Sequence, residues 1–220
     1  MLNFRITSLI ILSSSILFLG GCVSTTIPPH YTQLPSSQVL KPSFNKNSNI
    51  SYEYSPAVHW NRYSRFLMEP IEIYNADDNQ FNKSTNKDKQ ELATFAYNEF
   101  NEVLTKRFQL ANEVGPNTLR IKITLTGLKT NTPIVSTFTR FDLMGGPINA
   151  IQSIRGKEGV FMGNVSYSIE IYDAESNQLL KAFISKQYPN AMNIRATLGR
   201  LSAAKNGIHK AAEELLSELN

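Results

Sequence analysis

Residues 118–128 read TLRIKITLTGL, and their strict alternation decides the fold class. Leu119, Ile121, Ile123 and Leu125 fall on one side of an extended chain, with Arg120, Lys122, Thr124 and Thr126 on the other. A period of two with one apolar side marks a strand buried on one face and wet on the other. The same alternation returns at 163–172 (GNVSYSIEIY), which turns Val165, Tyr167, Ile169 and Ile171 inward. Turn residues 173–177 (DAESN) lead from there into LLKAFISKQY at 179–188, so a β-hairpin is expected. Upstream, residues 65–74 (RFLMEPIEIY) supply a first strand. Pro70 confines it to a sheet edge or a bulge, because proline has no donor for the ladder.

Two segments switch to a helical period. In residues 88–110, Leu92, Phe95, Ala96, Phe100, Val103 and Leu104 recur at helical spacing, and Asp88 with Glu91 suits the N-terminal cap. Residues 194–219 are amphipathic through Leu198, Leu201, Ile208, Ala211, Ala212, Leu215 and Leu219. Gly199 and Gly207 either weaken this helix or let it pack close on the sheet. The order is β-α-β-β-β-α. It predicts an α+β single domain, a mixed sheet with two helices packed on one face. The other face would present Arg120, Lys122, Thr124, Ser166, Ser168 and Glu170 to water.

The N-terminal end has a different character. Arg5 precedes an apolar run, Ile6 to Leu19, that matches a signal-peptide core and is short of the ~20 residues a membrane span needs. It ends in Leu19, Gly20, Gly21 and Cys22, a sequence that resembles the bacterial lipobox. Small residues fit an extended backbone into a peptidase cleft, and the thiol is the nucleophile that takes the diacylglycerol. Cys22 is the single cysteine, so the chain forms no internal disulfide, and acylation would anchor it to a membrane. Val23 follows in place of the aspartate that retains many lipoproteins at the inner membrane, which points to the outer membrane.

The expected organisation is a signal peptide at 1–21, a lipidated cysteine with a flexible tether at 22–59, and a periplasmic domain at 60–220. The tether reading rests on Pro28, Pro29, Pro35, Pro42 and Pro56 among Ser, Thr and Asn, a composition poor in buriable surface. Tyr52, Tyr54 and Trp60 near its end are candidates to fold back on the domain.

Residues 130–162 fit no element, being too long for an ordinary loop and too apolar for a disordered one. Phe138, Phe141, Leu143 and Met144 precede Gly145-Gly146-Pro147, after which Ile148, Ile151 and Ile154 form a stripe. Two readings stand. The segment plugs the open side of the core, or it is an exposed apolar element that docks on a partner or a membrane.

Chemistry-bearing patterns are sparse. His30, His59 and His209 lack metal-ligand spacing. No nucleophile elbow and no phosphate loop occurs. The oxygens of Asn75, Asp77, Asp78 and Asn79 lack the glycine and glutamate of a calcium loop. Glu69 and Glu72 would lie on opposite faces of one strand and could not act together. Arg62 and Arg65 flank Tyr63 as surface residues. The full chain carries a formal charge of +4 without a basic stripe, so nucleic acid is not an expected partner. Neither an enzyme nor a cofactor is expected.

The stretches WNRYSRFLMEPIEIY, RGKEGVFMGNVSYSIEIYDAESNQLLKAF and SKQYPNAMNIRATLGRLSAAKNGIHKAAEELL resemble bacterial lipoproteins of the domain-of-unknown-function family DUF3313, over Trp60 to Leu219. The resemblance implies a Gram-negative host, and it carries no functional residues across. Two functional expectations remain. One is an outer-membrane-anchored accessory or scaffolding lipoprotein that binds an envelope protein complex. The other is a small-molecule or glycan-binding module built on Trp60, Tyr63 and Tyr167.

Overall fold

The computed structural model describes residues 27–44, 49–131, 163–189 and 199–220. In chain order the elements are β1 (Lys41–Pro42), β2 (Ile50–Tyr54), a 3-10 turn (Trp60–Arg62), β3 (Arg65–Met68), β4 (Glu72–Ile73), α1 (Asn86–Leu104), β5 (Gln109–Leu110), β6 (Thr118–Lys129), β7 (Asn164–Asp173), β8 (Leu179–Gln187) and α2 (Ser202–Glu218). The strands form one mixed sheet in the order β1-β2-β8-β7-β6-β3-β5, with β4 also beside β6. This is an α+β single domain, as the alternation and the two helical periods predict.

The long antiparallel centre sets the register. Ile121 lies opposite Ile171, Ile123 opposite Ile169, and Leu125 opposite Tyr167. These side chains are fully buried with Leu92, Phe100, Leu104, Ile208 and Leu215 from the helices. The β7–β8 hairpin forms as expected. Asn177 takes a left-handed φ of 58° in its turn, and Asp173 Oδ1 accepts from the Ser176 amide at 2.9 Å. Gly207 brings α2 against the sheet: a Cβ there would stand 3.0 Å from Val165 Cγ1 and from Gln187 Cβ. Close packing is therefore the reason for this glycine. Gly207→Val is expected to cost about 1–2 kcal/mol by overpacking, read as a lowered Tm.

Pro70 breaks the expected first strand into β3 and β4, which lie parallel along one edge of β6. The break resets the side-chain alternation. Glu69 and Glu72 consequently do not diverge; Glu69 pairs with Arg120, and Glu72 Oε1 meets Lys122 Nζ at 2.9 Å on the same face of β6. Helix α1 also departs from expectation at both ends. Thr85 is the N-cap and Asp88 is the reciprocal member of its capping box, in place of Asp88 with Glu91. The helix stops at Leu104, because Gln109 N and Ala111 N bond to Ser64 O and Phe66 O and turn the next residues into an edge strand. Helix α2 runs from Ser202 to Glu218, and residues 194–198 of the expected span lie outside the described residues. A polar row joins the helices, Asp88 to Arg200, Glu91 to Lys205 and Glu99 to His209. The Glu99 carboxylate raises the His209 pKa above its ordinary value.

The largest correction concerns the second face of the sheet. Thr124, Thr126, Ser166, Ser168 and Glu170 are buried, not wet. Residues 27–40, expected to belong to the tether, lie over them as a strap and bury Tyr31, Leu34 and Leu40. Strands β1 and β2 follow, and β2 adds to β8. Tyr52, Tyr54 and Trp60 pack against the core. The folded domain thus begins well before residue 60, and the stretch read as flexible tether up to His59 is ordered wherever it is described from Ile27 on.

Candidate functional site

The strap is held in an unusual way. From Ile27 to Leu40 it forms backbone turns within itself, such as Leu34 N to Tyr31 O at 3.1 Å and Ser37 N to Leu34 O at 3.0 Å. Side chains of the sheet layer capture three further amides. Thr32 N donates to Asp78 Oδ2 at 3.2 Å, Gln33 N to the Tyr74 hydroxyl at 3.2 Å, and Ser36 N to Glu170 Oε1 at 2.7 Å. Tyr31 anchors the strap, with its ring edge-on to Tyr74 at 5.2 Å and burial pushing its phenol up to about 12. Its backbone sits in the left-handed region at φ 51°, a strained position for a bulky residue.

The interface under the strap is polar and incompletely paired. Ser36 Oγ and Ser168 Oγ are buried there without a hydrogen-bond partner. Each such group costs roughly 1–3 kcal/mol.

A second feature is the corner where the apolar segment leaves the domain. Asn131, after β6, is buried and joins three chain passages. Its Oδ1 accepts from Gly163 N at 2.8 Å, its Nδ2 donates to Gly199 O at 2.8 Å, and its own amide donates to Arg200 O at 2.9 Å. One side chain therefore ties both roots of residues 132–162 to the approach of α2. A groove of about 580 Å³ beside this corner is lined by Lys83, Lys129, Lys186, Asn82 and Asn164.

Of the residues singled out from sequence, Leu19, Gly20, Gly21 and Cys22 lie outside the described residues, as do Phe138, Phe141, Leu143, Met144, Ile148 and Ile151. The histidines are dispersed: His30 stacks edge-on with Tyr52 at 5.1 Å, His59 precedes the 3-10 turn, and His209 faces Glu99. Asp78 of the candidate calcium turn holds the strap amide of Thr32. Among the described residues no group of three His, Cys, Asp or Glu is placed to hold a metal, and no helix is long and apolar enough to cross a membrane. The aromatic trio does not converge, because Tyr167 is buried on the helix face while Trp60 and Tyr63 meet at 6.5 Å elsewhere. Tyr63 does line a cleft of about 490 Å³ with Tyr54, His59, Arg62 and Asp173. There its hydroxyl donates to Asp173 Oδ2 at 2.9 Å. Sequence reasoning missed the strap, Glu170 and Asn131.

Solved structures with a similar outline are remote. A PelC dodecamer from Paraburkholderia phytofirmans matches in two crystal forms, at 13% identity with TM-scores of 0.40 and 0.39. The matches cover 74% and 73% of this chain and 94% of that one. A neuraminyllactose-binding hemagglutinin homolog from Helicobacter pylori matches at 11% identity and a TM-score of 0.32, over 76% of this chain and 87% of that one. No curated protein matches the sequence. The family model described as a protein of unknown function, DUF3313, matches residues 30–215, and the chain belongs to that family.

Proposed function

We propose that this chain is a non-catalytic accessory lipoprotein, anchored through Cys22 in the outer membrane, whose periplasmic domain binds an envelope protein through residues 132–162. The observation that carries the reading is the Asn131 corner. A buried side chain is spent on fixing the two roots of a 31-residue insertion between adjacent antiparallel strands. The insertion carries Phe138, Phe141, Leu143, Met144, Ile148 and Ile151, residue types suited to an apolar interface core. The signal-peptide core and lipobox support the anchor and the address.

Photocrosslinking probes at Phe141, Met144 and Ile151 in the lipidated protein, in cells, are expected to yield one discrete protein adduct. Cys22→Ser is expected to release the chain from the membrane fraction and abolish that adduct. Silence at all three probes in an anchored protein would overturn the docking role. A second reading rests on the Tyr63 cleft, which pairs aromatic and charged walls in the manner of a small-ligand or glycan site. Saturable sugar binding, lost in Tyr63→Ala, would favour it.

A further inference from the structure

We propose that the sheet face of β6 and β7, together with Tyr74 and Asp78 after β4, is a peptide-receiving surface, and that residues 30–40 are its resident ligand, bound in cis and released without unfolding the domain. Four observations converge on this. First, the strap contributes no ladder to the long strands it covers; its amides at Thr32, Gln33 and Ser36 are taken by acceptors on side chains, Asp78, Tyr74 and Glu170. That is how a surface grips a separate peptide, with main-chain donors caught by fixed acceptors and one side chain in a pocket. Second, Tyr31 is that side chain, fully buried and held at a strained φ of 51°. Third, the fit is imperfect. Ser36 Oγ of the strap and Ser168 Oγ beneath it are both buried with no partner, so a peptide offering a further polar group would pair what the strap leaves unpaired. Fourth, the opposite face is sealed by helices over Ile121, Ile123, Ile169 and Ile171, so the core keeps one apolar layer when the strap departs.

The occupant is a segment of this chain, residues 30–40, bound in cis. Any competitor shares its chemistry: a tyrosine followed by a turn that presents free backbone amides. Release would bare the hydroxyl row and Glu170. Because the strap lies near the N-terminal end, release would also lengthen the connection to whatever holds that end by about 3.3 Å per residue freed. The proposal uses no residue of 132–162, so its failure leaves the accessory reading standing, and the reverse also holds.

The test is native-state hydrogen exchange on the full chain, followed by peptide binding. The amides of Thr32, Gln33 and Ser36 are expected to exchange at least about 100-fold faster than those of Ile121, Ile123 and Ile169, by an opening insensitive to low denaturant. Coincident exchange of strap and central strands would overturn the proposal, since the strap would then be an inseparable layer. In the second arm, Tyr31→Ala loosens the strap, and a fluorescent peptide of residues 28–42 is expected to bind this variant saturably. The same peptide with its tyrosine changed to alanine is expected to bind at least 10-fold more weakly. A Tyr31→Ala chain that fails to fold, or one that folds and does not bind the peptide, would overturn the proposal as surely as coincident exchange.

Discussion

Asn131→Ala is expected to destabilise the domain by about 2–4 kcal/mol, because it strips the partner from a buried donor and from a carbonyl at once. The Gly163 amide donates to Asn131 Oδ1 at 2.8 Å in a buried setting, and alanine offers nothing in its place. Gly163 itself admits no side chain, since a Cβ there would stand 2.5 Å from Lys129 O and 2.8 Å from Asn131 Oδ1. On the far side the Gly199 carbonyl, at a glycine with φ 114°, loses the Asn131 Nδ2 donor, and the entry to α2 loosens. Urea unfolding measures the loss. Asn131→Asp keeps the acceptor for Gly163 but sets a buried carboxylate against the Gly199 carbonyl, so a loss at least as large as in Asn131→Ala is expected at neutral pH. A smaller loss would mean that the bond from Gly163 dominates.

That corner was invisible in the sequence for a physical reason. Asn131 bridges residues 32 and 68 positions away, and a lone asparagine beside a long segment carries no pattern. The central sheet was legible because its apolar residues obey a period of two on both sides of a turn, and β6, β7 and β8 follow it closely. Where the reading failed, tertiary contacts outbid local pattern. Gln109 and Leu110 continue a helical period yet pair with β3, which offers ladder bonds the helix end cannot.

The strap failed differently. Its proline- and serine-rich composition is that of a solvated linker, and of its few large apolar residues Tyr31, Leu34 and Leu40 are the ones buried. The row Ser166, Ser168 and Glu170 reads as wet because polar side chains usually face water. Here they face a strap that brings its own amides, as at Ser36 and Glu170, so the two misreadings are one error seen from both sides of an interface. The Thr85 cap was missed by three residues because Asp88 fits two registers: it can cap a helix or complete a box with a preceding threonine.

That same aspartate supports the second large effect. Asp88→Ala is expected to cost roughly 2–3 kcal/mol at neutral pH, because it removes half of the capping box and leaves the part-buried Thr85 amide without its acceptor. Asp88 Oδ1 and Oδ2 also receive the Arg200 guanidinium at 2.9 Å each, tying the start of α1 to the start of α2. Arg200 is half exposed, so Arg200→Ala should lose much less than Asp88→Ala. The hydrogen bonds from Arg200, then those from Thr85, hold the Asp88 carboxyl well below the usual aspartate range against the opposing effect of its burial. A folded-state pKa below the unfolded one gives a stabilisation that is complete above the ordinary value near 4. It is then lost as the pH falls from there through the depressed folded value, where the folded carboxyl finally takes a proton. The wild-type chain and Asp88→Ala should therefore differ fully at pH 7 and converge steadily below about pH 4. Unfolding free energies measured at pH 7, 4 and 3 check this. A gap that stayed constant with pH would assign the effect to helix packing and not to the ionised cap.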